Sequence, residues 1–226
     1  RNIPGIETGS EPSNSVQYDK NFNNILSVVS TFSENTSFNT QFNYQVNLQN
    51  FSDNVITNSY YKNIFISNSS QVNFYGNNFE VVSGLQLNYS ALKSNEVQDN
   101  IKRFQPGVFV VSKINVNGSV AIYPSLRYDF ISDINDDVLS GKIGINIRPS
   151  RNSRFNIKAS AGNNYAAPTF NELYWKDLGN KNLKPERSLN LEAGLIFGFD
   201  FISDNSVEVT YTYIDARDKI VWSPNS

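Results

Sequence analysis

A strict alternation of apolar and polar side chains along residues 37–49 constrains the fold more than any other feature. Even positions carry Phe, Thr, Phe, Tyr, Val and Leu, and odd positions carry only Ser, Asn or Gln. Successive side chains of a strand point to opposite faces, so this segment predicts a strand with one apolar and one amide-rich face. It is longer than the roughly five or six residues usual in soluble proteins. It fits the roughly 9–11 residues of a tilted membrane-spanning strand.

The same alternation recurs along the chain and predicts about ten strands. The other segments are 20–32, 61–75, 79–89, 104–114, 120–130, 142–148, 155–161, 189–200 and 207–213. Short polar links near 33–36, 76–78, 115–118, 150–153 and 202–205 alternate with longer links near 49–60, 93–102, 131–137 and 163–187. Short periplasmic turns alternating with longer extracellular loops are typical of outer-membrane barrels.

Composition excludes several classes of protein. The mean hydropathy of −0.41 suits a barrel whose strands alternate between lipid and lumen, and no apolar run approaches the roughly 18 residues of a spanning helix. A net charge of −2 gives no basic face for nucleic acid. The chain has no His and no Cys, so neither a His-based triad nor a thiol nucleophile is available. We therefore predict no enzymatic activity and no cofactor.

Residues 165–188 carry the most specific motif. They read Tyr-Ala-Ala-Pro-Thr-Phe-Asn-Glu-Leu-Tyr-Trp and then Lys-Asp-Leu-Gly-Asn-Lys-Asn-Leu-Lys-Pro-Glu-Arg-Ser. This segment resembles the long loop of TonB-dependent outer-membrane receptors, most closely those for vitamin B12 and ferric siderophores. Ala166 and Lys181 depart from the pattern, where the family often has a basic residue and usually has Pro, respectively. The matching positions are Ala167, Pro168, Thr169, Phe170, Glu172, Leu173, Tyr174, Gly179, Asn180, Leu183, Pro185, Glu186 and Ser188.

The resemblance implies an all-β fold, an antiparallel up-and-down transmembrane β-barrel in the outer membrane of a Gram-negative bacterium. Residues 1–226 would form one incomplete barrel domain of a 22-stranded parent, without the plug, the TonB box or the closing strands. The implied function is uptake of a scarce, bulky nutrient such as a ferric siderophore or cobalamin. Implied partners are that ligand, the membrane lipid and the TonB complex, which would act through the missing plug.

The aromatic loop predicts a ligand-contacting surface, because exposed aromatic side chains bury large areas at low entropic cost. The alternative is that Pro168, Phe170, Leu173 and Tyr174 fold back on the barrel rim and fix the loop, and we favour it for Phe170 and Leu173. An acidic segment with Asp133, Asp136 and Asp137 could bind Ca²⁺ through its oxygens, or could be a solvated loop. The candidate ligand-binding residues are Tyr165, Phe170, Asn171, Glu172, Tyr174 and Trp175.

Two other classes of protein are compatible with the alternation. A soluble β-sandwich or carbohydrate-binding module also alternates apolar and polar residues. A passive outer-membrane barrel or surface adhesin would share the strands but need no energy coupling. In the barrel interpretation, the charged residues on the polar parity, such as Arg127, Asp129 and Lys142, face the lumen.

Overall fold

The computed structural model describes residues 2–4, 14–52, 58–97, 100–149, 153–200 and 204–221. Eleven strands and one short helix make up this part of the chain, in which no helix is long and apolar enough to span a membrane. In chain order they are β1 (Asn2–Pro4), β2 (Asn14–Ser33), β3 (Thr36–Ser52), β4 (Asn58–Tyr75), β5 (Phe79–Ser94), β6 (Ile101–Asn117), β7 (Val120–Ile131), β8 (Asp136–Ile147), β9 (Phe155–Ala166), α1 (Phe170–Tyr174), β10 (Glu186–Asp200) and β11 (Asp204–Arg217).

All strands belong to one antiparallel sheet in which each strand pairs with its neighbours in sequence. The predicted all-β, up-and-down architecture is therefore confirmed, and so is the estimate of about ten strands, since β1 adds only three residues. The order is linear from β1 to β11, and the described residues form no ladder between those two strands. This is an open wall of a barrel. Because there is one sheet rather than two packed sheets, the sandwich interpretation is wrong.

The strands run further than the alternation predicted, and this shortens the links at one end of the sheet. The prediction of a longer link near 131–137 is wrong, because only residues 132–135 separate β7 from β8. Asn135 helps to make this turn with a left-handed φ of 49°, a conformation that Asn tolerates better than most residues. By contrast, residues 167–185 form a long connection at that same end, as predicted. We call this end of the sheet the loop end.

The two faces of the sheet differ sharply in chemistry. Large apolar side chains on the predicted apolar parity are exposed, including Leu126 at 51%, Leu139 at 59% and Val209 at 66%. The opposite face carries ion pairs such as Lys158–Glu208. Soluble proteins rarely expose so continuous an apolar surface, whereas lipid covers such a surface in a membrane barrel. We call these the outer and inner faces, respectively.

Buried apolar residues in the described part of the chain are few and lie towards the loop end. They are Leu92, Val97, Ile101, Ile131, Val138 and Leu173. The wall itself has no second layer to pack against, so a core forms only where the long connection folds back on the strands. This small core positions the candidate functional site.

One neighbouring pair of strands separates before its end. The β8–β9 ladder joins only 142–147 to 157–162, although both strands continue towards the loop end. The Asn163 side chain spans the separation: its Nδ2 donates to the Leu139 carbonyl at 2.9 Å, and its Oδ1 accepts from the Gly141 N–H at 2.8 Å. A side-chain amide thus replaces two bonds of the missing ladder, as buried or lipid-facing backbone groups require.

Candidate functional site

Residues 167–185, which we call the rim loop, begin with a locally encoded helix. Thr169 caps α1: its Oγ1 accepts from the Glu172 N–H at 3.3 Å, and its own N–H donates to Glu172 Oε2 at 2.6 Å. This capping box satisfies two N–H groups that a helix start would otherwise leave without partners. The Thr-Phe-Asn-Glu sequence therefore places the helix directly after β9.

The rim loop packs on the strands through its apolar residues. Leu173 is only 1% exposed, and Phe170 and Tyr174 pack against the cluster of Leu92, Val97 and Ile101. The prediction that Phe170 and Leu173 fold back on the rim agrees with this packing. Full burial of one Leu side chain contributes about 2 kcal/mol of transfer free energy.

A buried ion pair fastens the rim loop to β6 and to the turn between β7 and β8. Arg103 of β6 donates from Nε and Nη2 to the two carboxylate oxygens of Asp133, at 2.6 and 2.8 Å. Arg103 Nη2 also donates to the Pro168 carbonyl at 2.9 Å, and its guanidinium lies 5.0 Å from the centre of the Phe170 ring. A buried charge needs such a partner, because desolvation without one costs several kcal/mol. Arg103 thus joins β6, the β7–β8 turn and the start of the rim loop.

Tyr174 completes this cluster from the end of α1. Its hydroxyl donates to Asp133 Oδ2 at 3.2 Å. Burial, together with the negative charge of Asp133, raises the pKa of Tyr174 to about 12 against the opposing effect of Arg103. The phenol therefore stays protonated, and remains a hydrogen-bond donor, across the physiological range.

The second half of the rim loop is held by backbone contacts. Lys176 N–H donates to the Glu96 carbonyl at 3.0 Å, and Trp175 forms an isolated bridge with Val97. Gly179 N–H donates to the Trp175 carbonyl at 2.8 Å. A Cβ at Gly179 would lie 2.6 Å from the Trp175 nitrogen and 2.7 Å from the Leu173 oxygen. Only glycine allows this close approach, which explains the Gly-Asn step in the motif.

A second charged cluster lies on the inner face below the rim loop. Arg127 donates from Nε and Nη2 to Asp129, both at 2.6 Å, and the Asp129 side chain is fully buried. Gly107 on β6 leaves room for this pair, since a Cβ there would collide with Asp129 and lie 2.7 Å from Arg127 Nη2. Gln105 Nε2 donates to the Tyr165 hydroxyl at 2.9 Å. The cluster therefore links β6, β7 and β9 across the wall.

The inner face also carries an open depression of about 410 Å³ where β8 and β9 separate. Its lining includes Gln86, Phe109, Arg127, Lys142, Asn163 and Asn164. The lining combines amides and two cations with apolar side chains such as Phe109 and Val111, so it offers both polar and apolar contacts to a segment or ligand in the lumen.

The structure gives the six candidate ligand residues different surroundings. Tyr165 bonds Gln105, Phe170 and Tyr174 pack at the Arg103 cluster, Glu172 closes the capping box, and Trp175 bridges to Val97. Asn171 alone among the six is exposed. Five of them thus have a structural task in the protein, and a direct role in ligand binding stays a prediction for all six.

The acidic segment does not assemble a metal site in the described residues. Both carboxylate oxygens of Asp133 bond Arg103, and Asp136 Oδ1 accepts from the Asp137 N–H at 2.9 Å. No group of three or more potential metal-ligating carboxylates comes together in the part of the chain that the structure describes. The calcium hypothesis therefore has no geometric basis here.

Sequence reasoning missed Arg103 and Gln105, which lie far from the motif in sequence. Both occupy the inner-facing parity of β6, together with Gly107. One signal could have pointed to Arg103. It is a cation at the loop end of β6, and the next turn at that end, between β7 and β8, contains the acidic residue Asp133. Their pairing follows from strand register, which local patterns do not reveal.

The chain matches a known protein family over nearly its whole length. Residues 6–226 match the family model described as "TonB dependent receptor-like, beta-barrel". A crystal structure of the siderophore receptor PirA from Pseudomonas aeruginosa superposes with a TM-score of 0.71 at 19% identity, covering 90% of this chain and 40% of that chain. At this identity the likeness concerns the fold.

Two curated relatives are similar over shorter stretches. The vitamin B12 transporter BtuB of Photobacterium profundum is 44% identical over 72 residues, which is 32% of this chain and 11% of the relative. The vitamin B12 transporter BtuB of Vibrio vulnificus is 37% identical over 94 residues, 39% of this chain and 14% of the relative. The match therefore spans a small part of these relatives.

Proposed function

Because this chain belongs to the TonB-dependent receptor-like β-barrel family, we propose that it forms part of the wall and rim of a receptor that imports a scarce, bulky nutrient. The family's barrels are Gram-negative outer-membrane proteins, so the strands lie in that membrane with their apolar face towards lipid. The observation that carries the proposal is the family match over residues 6–226. The exposed outer face and the charged inner face support it, because a membrane barrel needs both.

We propose cobalamin or a ferric siderophore as the nutrient. Two relatives that match this chain locally at 44% and 37% identity are vitamin B12 transporters, which favours cobalamin. Siderophore receptors resemble the chain in fold, and this likeness does not discriminate between ligands. Specificity would depend on loops and on the plug that family membership implies.

In this proposal the chain supplies a scaffold and part of a binding surface. The Arg103 cluster holds the rim loop at the loop end of the sheet, which we take as extracellular. Rim-loop positions such as Asn171 and Lys184 are exposed and are available to a ligand. The family is one of transporters and receptors, and we propose that these residues perform no covalent chemistry. Energy would come from the TonB complex acting on the plug.

The test uses the parent protein in a Gram-negative host that lacks its own cobalamin and siderophore receptors. Uptake of radiolabelled cobalamin and of ferric siderophores is measured with and without a functional TonB complex. TonB-dependent uptake of either nutrient supports the proposal. Uptake that continues without TonB would instead identify a passive barrel, and surface attachment without uptake would identify an adhesin.

Two rim-loop variants and one control variant test the part played by this chain. Asn171→Ala and Lys184→Ala alter exposed rim-loop side chains without touching the Arg103 cluster, whereas the control Lys158→Gln alters an ion pair with Glu208 on the inner face. We expect the rim-loop changes to weaken ligand binding at the cell surface. If both rim-loop variants bind the ligand as the wild type does, these residues do not belong to the binding surface. The proposed transport function would still be tested by the uptake assay.

A further inference from the structure

Four lysines come together on the outer face at the loop end, although they lie on four strands far apart in sequence. Lys20 of β2 pairs with Leu48 of β3, Leu48 pairs with Lys62 of β4, and Lys62 pairs with Lys93 of β5. These partners share one face because directly paired residues of antiparallel strands point the same way. Leu48 belongs to the apolar, exposed parity, so the face is the outer one.

Lys102 of β6 adds the fourth lysine. It pairs with Ala91, two residues from Lys93 on the same face of β5. Lys93 and Lys102 are thus diagonal neighbours at roughly 7–8 Å, while the directly paired Lys62 and Lys93 have Cβ atoms roughly 5 Å apart. All four lysines are exposed. We call Lys20, Lys62, Lys93 and Lys102 the lysine patch.

The charges of this patch are not balanced by the sheet. The described parts of β2–β6 contain two acidic residues, Asp19 and Glu80. Asp19 adjoins Lys20 on the opposite parity and is bonded by Gln17, and Glu80 pairs with Lys113 on the inner face. Like charges placed directly opposite on a sheet are destabilising. Glu96, just beyond β5, accepts from Ser59 on the inner-facing parity of β4 at 2.7 Å. Within the described strands the outer face thus offers Lys62 and Lys93 no carboxylate, and this favours the binding of an anion there.

The position of the patch along the strands matches one boundary of the membrane. On β4, Lys62 lies twelve positions from the outer-face aromatic Phe74 near the opposite end. At roughly 3.3 Å per residue and a tilt of about 45°, this separation spans roughly 28 Å along the membrane normal. The apolar band of an outer-membrane barrel is about 25 Å tall. Lys62 and the directly paired Lys93 therefore lie near the level of lipid headgroups rather than that of acyl chains.

The opposite end of the same strands has a different character. There the outer face carries Phe38, Val72, Phe74 and Phe79, with Phe74 and Phe79 in ring contact at 5.8 Å. No lysine or arginine of the described parts of β2–β6 lies on the outer face at that end. The concentration of cations at one membrane boundary is thus a specific feature of the loop end.

We propose that the lysine patch binds phosphate groups of lipid headgroups in the outer leaflet of the membrane. The ligand is a lipid with at least two phosphates, because the ammonium groups extend across several strands and each offers three donors. The apolar residues beside the patch, such as Val46 and Ile64, contact the acyl chains of the same lipid. This proposal rests on the membrane location given above and adds a specific lipid site to it.

The test uses the purified full-length parent in an uncharged detergent, with lipid A carrying two phosphates as the probe. Binding is followed by native mass spectrometry for the wild type and for the triple variant Lys62→Gln, Lys93→Gln and Lys102→Gln. A lysine near anionic headgroups contributes about fivefold in affinity, so the triple variant should bind on the order of 100-fold more weakly. Binding to the wild type should weaken with added salt, because the attraction is electrostatic.

Three controls make the result specific. Lys113→Gln removes an inner-face lysine from β6 and should leave binding unchanged. Dephosphorylated lipid A should bind the wild type as weakly as bisphosphorylated lipid A binds the triple variant. Inorganic phosphate should compete poorly, because it lacks acyl chains for the apolar surface. Effective competition by inorganic phosphate would overturn the assignment to lipid and leave a simple anion site.

The remaining outcomes are also decisive. Equal lipid A binding by the wild type and a folded triple variant, with folding checked by heat-modifiable gel mobility, would overturn the proposal. The substitutions remove a repulsion, so the triple variant in detergent should unfold at the same or a slightly higher temperature. Failure of the parent to insert into membranes at all would overturn both this proposal and the proposed transport function, whereas TonB-dependent uptake without lipid binding would overturn only this one.

Discussion

Removing the carboxylate of Asp133 should release the rim loop from the strands. Arg103 and Asp133 have side chains only 10% and 5% exposed, so Asp133→Ala leaves a buried guanidinium with the Pro168 carbonyl as its remaining bonded partner. Breaking a buried pair from one side costs about 3–5 kcal/mol, and the lost bond from Tyr174 adds about 1 kcal/mol. Local opening of the rim loop exposes the Arg103 guanidinium to water and avoids this cost, so we expect the loop to open.

The assay is amide hydrogen exchange on the full-length protein in detergent. The N–H groups of Leu173, Trp175, Gly179 and Asn180 are bonded within the rim loop and should report its opening. A local destabilisation of about 4 kcal/mol, the lower end of this summed cost, raises their exchange rates on the order of 1,000-fold, since each 1.4 kcal/mol corresponds to roughly tenfold. Amides of the β2–β3 ladder should keep their wild-type rates, because those strands are separated from β6 by β4 and β5 in the sheet.

Two variants separate electrostatics from simple loss of volume. Asp137→Ala, an exposed carboxylate beyond the same turn, should leave the rim-loop amides protected. The double variant Arg103→Leu with Asp133→Leu removes both charges and should recover much of the protection, because an apolar pair avoids the desolvation cost. Wild-type exchange rates in Asp133→Ala would refute the conclusion that this ion pair fastens the loop.

Four further outcomes follow from local features. Leu191→Arg puts a cation on the lipid face at a cost of about 2–4 kcal/mol and should lower membrane insertion, whereas Asn190→Arg on the opposite parity should insert normally; equal yields in a fractionation assay would contradict the assigned faces. Gly107→Val should displace the adjacent buried ion pair and lower the unfolding temperature of the protein, because a Cβ there has no space. Asp177, with φ at 64°, should be replaceable by Gly with a gain in loop stability of about 0.5–1 kcal/mol, measured by hydrogen exchange. The folded-state pKa of Tyr174 is raised to about 12 from 10.0, so its contribution to stability should be complete below pH 10 and decline as pH rises towards 12; the phenolate absorbance difference between wild type and Tyr174→Phe should titrate near pH 12, and a midpoint near 10 would contradict the buried contact with Asp133.

Strand positions and the chemistry of each face could be predicted from the sequence, because both depend on local rules. Alternation along residues 37–49 assigned each side chain of β3 to a face, and the structure agrees. The start of the rim loop was equally local, since Thr169 and Glu172 form a capping box from their spacing alone. The fold-back of Leu173 was an alternative suggested by the motif, and its burial agrees with that alternative.

Which side chains of different strands meet depends on strand register, and local sequence patterns do not determine register. The pairing of Arg103 with Asp133, the early separation of β8 from β9 and the adjacency of Lys62 to Lys93 all follow from which residues of distant strands meet. A shift of one residue in register would move a lysine to the other face. The sequence by itself therefore determined strands, faces and the identity of the loop, while only the tertiary structure decided which charges are neutralised inside the protein and which remain available to the membrane.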